Sequence, residues 1–227
     1  MTKVDTFLAG QDRLSRAAYF VARSLVAAFT HLWTRLEIEG REHVPAAGAF
    51  VLAPVHRSIM DTPISSCVTR RRLRFMGKDT LWKRQPAAWV LSALGGFPVS
   101  RGTADREALM RCIAVLEAGE PLVLFPEGER KSGDVVQPLF DGAAYVALRA
   151  GVPIVPVGIG GSEAVMPKGK KMIRPSKVHV IVGAPILPPP SVAGSRVPRA
   201  AVRDVTAELH ETLQRLFDEA TAHVAER

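Results

Sequence analysis

The chain has 227 residues, 47% hydrophobic and 23% charged, a length suited to one large domain or one domain with a small appendage, and a composition that excludes disordered, collagenous and simple coiled-coil chains. The formal net charge is +8, and it is localised: residues 1–90 hold 14 basic and 7 acidic side chains, residues 91–227 hold 16 and 15. An excess confined to the first segment implies a surface facing something anionic.

From Arg13 to Leu36, the apolar residues Leu14, Ala18, Val21, Leu25, Ala28, Leu32 and Leu36 recur at helical spacing. At about 100° per residue, Tyr19, Val26, Phe29 and Trp33 widen this stripe to roughly half the circumference, with Arg13, Arg16, Arg23 and Arg35 on the other side. Two readings follow, a helix packed on the domain or an interfacial helix lying on anionic lipid. Residues 1–38 are read as this N-terminal membrane-interface segment and 39–227 as an α/β domain.

After Gly40, β-rich runs alternate with helical ones. Strands are predicted at Ala49–Val55, Leu73–Gly77, Leu122–Phe125, Ile154–Ile159 and Val178–Val182. Helices are predicted at Thr62–Thr69, Pro86–Leu94, Thr103–Ala118, Gly142–Ala150 and Pro198–Ala225, the last after a proline-rich connector. The alternation predicts an α/β fold, a mainly parallel mixed sheet flanked by helices, with right-handed crossovers.

Such sheets bind ligands beyond the carboxyl ends of their strands, and four places there stand out. In the first, HRSIMD, His56 and Asp61 are five residues apart, which on one continuous helix would point them about 140° apart. They meet if His56 sits in the strand-to-helix turn and Asp61 begins a helix with Pro63 in its first turn. A carboxylate on one imidazole nitrogen fixes the tautomer and leaves the other as a general base; Asp61 as a simple helix cap is the plainer alternative. The second, GGFPVSRG, is expected to be a loop where backbone approaches a ligand and Arg101 forks onto a phosphate. In the third, FPEGERKS, Glu127 at the sheet mouth can hold a hydroxyl-bearing substrate, and Gly128 can let backbone N–H groups face an oxyanion. The fourth, VPIVPVG, has no titratable group and shapes an apolar wall.

These four blocks, in this order, resemble those of the glycerolipid acyltransferases, and the chain is similar to the bacterial 1-acylglycerol-3-phosphate acyltransferases over roughly residues 35 to 190. The resemblance implies acyl transfer from acyl-CoA or acyl carrier protein to the free hydroxyl of 1-acylglycerol 3-phosphate (lysophosphatidate). His56 would be the general base and Asp61 its partner. Arg101 would bind the acceptor phosphate, Glu127 and Gly128 complete the acceptor site, and Ser100, Arg130 and Ser132 belong to the same blocks. Val55 stands where many members have Asn, and Glu129 where Thr is common, so acceptor choice is open: glycerol 3-phosphate or another lysophospholipid would use the same mechanism. A thioester is reactive enough for direct attack, so no acyl-enzyme and no cofactor are implied.

No metal is expected, because His31, His43, His179, His210 and His223 form no HxxxH or HExxH spacing. Cys67 and Cys112 lack CxxC spacing and read as small hydrophobes in a reducing cytosol. No apolar run of about 18 residues and no signal-peptide core occur, which places the chain as a peripheral protein on the cytoplasmic face of the membrane. The basic runs, Arg70–Arg72 and Lys168–Lys177 among them, suit CoA phosphates, an acidic carrier protein or anionic headgroups. Nucleic acid is not expected as a partner, because the basic clusters lack interleaved aromatics, and a serine hydrolase would need a GxSxG that is absent.

Overall fold

The structure, a computed structural model, describes residues 13–78, 82–83, 85–99, 106–170, 172–189 and 197–226. Its frame is a seven-stranded sheet built from β1 (Glu37–Glu39), β2 (Val51–Pro54), β3 (Arg74–Lys78), β4 (Gly96–Val99), β5 (Leu122–Val123), β6 (Ile154–Gly160) and β7 (His179–Val182), in the order β1-β7-β6-β2-β5-β3-β4. The five strands from β6 to β4 are parallel, while β7 runs antiparallel to β6 and carries β1 with it. The expected mainly parallel mixed sheet is therefore what forms. Two strands were not anticipated. β1 is three residues at an edge with charged ends, and β4 lies within the glycine-proline block read as a loop, where its pairing with β3 supplies the ladder that a local pattern does not reveal.

The helices are α1 (Arg13–Thr34), α2 (Asp61–Cys67), α3 (Gln85–Ala93), α4 (Arg106–Glu117), α5 (Gly142–Ala150), α6 (Ser162–Val165) and α7 (Arg199–Ala225). β2 and β6 are buried along their whole lengths, as strands inside a parallel sheet must be, and form the middle of the core. α7 buries Val202, Val205, Leu209, Leu213, Leu216, Phe217 and Ala220 at helical spacing. It lies directly on β6 because Gly158 and Gly160 have no side chain there: a Cβ on either would come within 2.3 Å of the Leu216 or Ala220 carbonyl oxygen.

α1 packs against α2 and α3 by one edge of its apolar stripe and the polar flank beside it, and not by the centre of the stripe. Tyr19, Thr30 and Thr34 are buried, and the Arg23 guanidinium, expected on the polar face, turns inward to donate to the carbonyls of Ser66 and Thr69. Leu14 (74% exposed), Leu25 (67%) and Leu32 (83%) point away from the domain. Among the described residues, no helix is long and apolar enough to cross a membrane.

Cys67 and Cys112 are buried in α2 and α4, and burial raises both thiols, that of Cys112 to about 12. With little thiolate and no access, neither should react with a disulfide reagent at pH 8 in the native protein, whereas both should react in denaturant; fast native labelling of Cys112 would contradict this packing.

Candidate active site

β2 ends at Pro54, and Val55 continues its ladder by donating to the Val157 carbonyl (3.1 Å). The chain then turns, and Asp61 opens α2 with Pro63 in the first turn. This brings His56 Nδ1 to 3.0 Å from Asp61 Oδ2. A carboxylate only accepts, so Nδ1 carries the proton and Nε2 is left as the basic nitrogen. Nε2 makes no hydrogen bond within the described residues, and the His56 side chain keeps 16% of its surface open.

Asp61 is fully buried and is not a cap for its own helix. The same Oδ2 also accepts the backbone N–H groups of Arg57 and Ser58, both at 2.6 Å, which precede it in the turn. Three donors on one oxygen fix the turn around it. Phe125 stacks on the His56 ring at 3.9 Å between centroids, so imidazole rotation is restrained from the side as well as from behind.

Glu127 arrives from the loop after β5, the strand beside β2. It too is fully buried, and each of its oxygens is met by two donors of the chain. Oε2 accepts from His56 N–H (3.0 Å) and Arg57 Nη1 (2.7 Å), Oε1 from Arg57 Nη1 (2.9 Å) and Gln137 N–H (3.1 Å). The sequence suggests a carboxylate presented to a substrate hydroxyl; here its accepting capacity is spent inside the protein, on the backbone of His56 and on Arg57. Gly128, expected to turn an N–H toward an oxyanion, donates it to the Phe125 carbonyl (3.0 Å). Its φ of +71° and the Phe140 ring 2.6 Å from where a Cβ would lie account for glycine at this position.

Arg57 was not singled out by sequence reasoning. Its guanidinium, 1% exposed, donates through Nε to the Gly133 carbonyl, through Nη2 to the Val135 carbonyl and through Nη1 to the His56 carbonyl and Glu127, and it lies over the Phe217 ring at 4.8 Å. The available signal was an arginine in a segment that must be buried between a strand and a helix, but nothing local pairs position 57 with 127.

Lys131 N–H donates to the His56 carbonyl (2.8 Å), closing the loop back onto the turn. Arg130 is half-buried without an ion pair among the described residues, and Ser132 is exposed. Glu129 pairs with Lys131 at 2.9 Å, which lowers its carboxyl, an exposed contact of small energetic weight. Ser100 and Arg101 lie outside the described residues. An apolar cavity of about 240 Å³ opens between α1, α2 and α3, walled by Tyr19, Val26, Pro63, Phe75, Leu91 and Leu94; Thr62, next to Asp61, also lines it.

Residues 35–160 match the family model described as Acyltransferase. The chain belongs to the acyltransferase family. The matched span holds the His56–Asp61 pair and the Glu127 loop. Acyltransferase relatives include the 1-acyl-sn-glycerol-3-phosphate acyltransferase BAT2, chloroplastic, of Brassica napus, 26% identical over 77% of this chain and 52% of that protein. The 1-acyl-sn-glycerol-3-phosphate acyltransferase of Bacillus subtilis (strain 168) is 28% identical over 66% of this chain and 73% of its own length. The chain spans about half the length of the plastid relatives it matches. The crystal structure of the 1-acyl-sn-glycerophosphate (LPA) acyltransferase PlsC from Thermotoga maritima has the same fold, with a TM-score of 0.74 at 25% identity over 94% of this chain and 84% of that one.

The Arg57–Glu127 pair can be tested through stability. Removing one member of a buried pair strands a charge, so Arg57→Met should lower the unfolding free energy by about 3–5 kcal/mol. Arg57→Met combined with Glu127→Leu should cost less than the sum of the two single changes; urea unfolding of the four proteins decides it, and strict additivity would mean that the pair is uncoupled.

Proposed function

We propose that this acyltransferase moves a fatty acyl chain from a thioester donor, acyl-CoA or acyl carrier protein, to the free hydroxyl of 1-acylglycerol 3-phosphate, giving phosphatidate for phospholipid synthesis. The observation that carries this is the His56–Asp61 pair at 3.0 Å, with Nε2 unengaged at the carboxyl end of β2, in a chain of this family.

His56 Nε2 takes the proton of the acceptor hydroxyl as its oxygen attacks the thioester carbonyl. Asp61 stabilises the imidazolium that forms. The C–O bond forms, the tetrahedral intermediate collapses with cleavage of the C–S bond, and the departing sulfur takes the proton back, leaving ester and free thiol. Every atom is accounted for by the two substrates and one imidazole, so the reaction requires no cofactor. Arg101 holds the acceptor phosphate in this reading, with Ser100, Arg130 and Ser132 at the acceptor side and Gly128 shaping the loop; Glu127 acts by positioning His56. The apolar cavity under α1 receives an acyl chain.

His56→Ala should reduce turnover of lysophosphatidate by about 10²–10⁴-fold without unfolding the protein, and Asp61→Asn by less. The assay follows labelled acyl-CoA into phosphatidate, with glycerol 3-phosphate and other lysophospholipids as parallel acceptors. Near-normal kcat in His56→Ala would remove the mechanism, and preference for another acceptor would redirect the substrate.

The partner on the α1 side is an anionic bilayer on the cytoplasmic face. Residues 1–38 serve as the interfacial segment and 39–227 as the catalytic domain, with β1 at the join. The support is the outward stripe of Leu14, Val21, Leu25 and Leu32 together with exposed Arg13, Arg16 and Arg35. Leu25→Asp with Leu32→Asp should reduce the fraction floating with anionic vesicles, and binding by the wild type should weaken with added salt. Unchanged flotation in this variant would assign lipid contact to another surface.

A further inference from the structure

At the other edge of the sheet, three strands from β2, the fold gathers side chains that the acyl-transfer reaction does not use. His179 on β7 is paired in register with Glu37 on β1, which places both side chains on one face, and His223 comes down from the last turn of α7. Their ligating atoms all lie within 4.8 Å of one another. We propose that Glu37, His179 and His223 form a binding site for a divalent transition-metal ion of the zinc class.

The first argument is an unsatisfied buried group. His179 is 2% exposed, yet neither of its ring nitrogens makes a hydrogen bond, and Nε2 of His223 makes none either. Carboxylate oxygens are near, but off the line of a hydrogen bond: Glu37 Oε2 is 3.6 Å from His179 Nδ1 and 3.4 Å from His223 Nε2. Buried polar groups are ordinarily satisfied, and an ion between the two rings would give each an in-plane partner once one of them turns.

The second argument is metric. A tetrahedral zinc site with bonds of about 2.0–2.2 Å sets its donors about 3.4 Å apart, the spacing of the two Glu37 edges. The two imidazoles are stacked, with centroids 3.8 Å apart and planes 16° apart, so one ring must turn for both lone pairs to converge. His223 has the room, being partly exposed on the last turn of α7.

The third argument is the surroundings. Glu39 Oε1 lies 3.3 Å from His179 Nε2, on the side away from Glu37. With an ion on Nδ1, the ring would carry its proton on Nε2 and turn it toward this carboxylate, the usual outer partner of a ligating imidazole. Two histidines and one carboxylate suit zinc and its first-row neighbours over magnesium or calcium, which prefer oxygen. The ion would join β1, which directly follows α1, to β7 and to the end of α7, a structural tie independent of acyl transfer. Sequence spacing hides the set, because its members stand at 37, 179 and 223 on three elements.

The test uses tag-free full-length protein stripped with a chelator and titrated with Zn²⁺ against a chromophoric competitor, with thermal unfolding in parallel. One Zn²⁺ should bind per chain and raise Tm. Glu37→Gln and His223→Gln, both at partly exposed positions that tolerate change, should abolish this binding and the rise in Tm, and Glu39→Gln should weaken binding by about 10–100-fold. The same affinity in wild type, Glu37→Gln and His223→Gln, or no binding by the wild type, overturns the proposal. His179→Gln is not needed for the decision, so its folding does not matter.

Discussion

The arrangement around His56 depends on one buried ion pair, Arg57 with Glu127. Both partners are out of contact with water, where two charges are tolerated only if each finds its full complement of partners. The complement is drawn from the turn after β2, the loop after β5, and the stretch 133–137. Because Glu127 also accepts the His56 N–H, the pair does more than neutralise itself. It sets the backbone from which the imidazole projects, while Asp61 sets the ring. Two carboxylates thus hold one histidine, one through its main chain and one through its side chain, and neither is available to touch a substrate.

Much of this was legible in the chain. The alternation of apolar runs and helical stretches gave the α/β class, and α5 falls on the residues that its pattern predicts. His56 and Asp61 were legible because the strand, the turn and the proline-started helix lie within one short segment, so local rules suffice to bring them together. Glu127 was visible as a residue but not as a role. Its meaning depends on β5 lying beside β2, and on Arg57, and both are products of the sheet order, which no spacing encodes. β4 was hidden for a related reason, since a Gly-Phe-Pro-Val strand exists only by virtue of its neighbour.

α1 shows a different limit. Its periodicity announces a helix with one apolar side, and for a domain helix that side belongs in the core. The structure buries only one edge of that side, at Tyr19, together with the polar flank beside it, where Thr30 and Thr34 face inward and Arg23 is occupied by α2 carbonyls. Hydropathy patterning tells which face seeks an apolar medium but not whether that medium is the protein, and only the packing distinguishes the two. The same helix roofs the apolar cavity that Thr62 and Pro63 of α2 help to line, so one side of it encloses a space within the domain while the other is turned away from the domain.

The close seating of α7 on Gly158 and Gly160 reaches further than packing. It brings Phe217 beneath the Arg57 guanidinium, and it lets Gln214 and His210 hold Val136 from below, through the Gln214 Oε1 bond to the Val136 N–H (2.8 Å) and the His210 Nε2 contact with the Val136 carbonyl (3.0 Å). The span that matches the family model ends at residue 160, well before this helix begins. The smallest fragment able to keep the histidine in place is therefore longer than the fragment by which the family is recognised, and a truncation designed on motif boundaries would retain every signature residue while removing the floor they stand on.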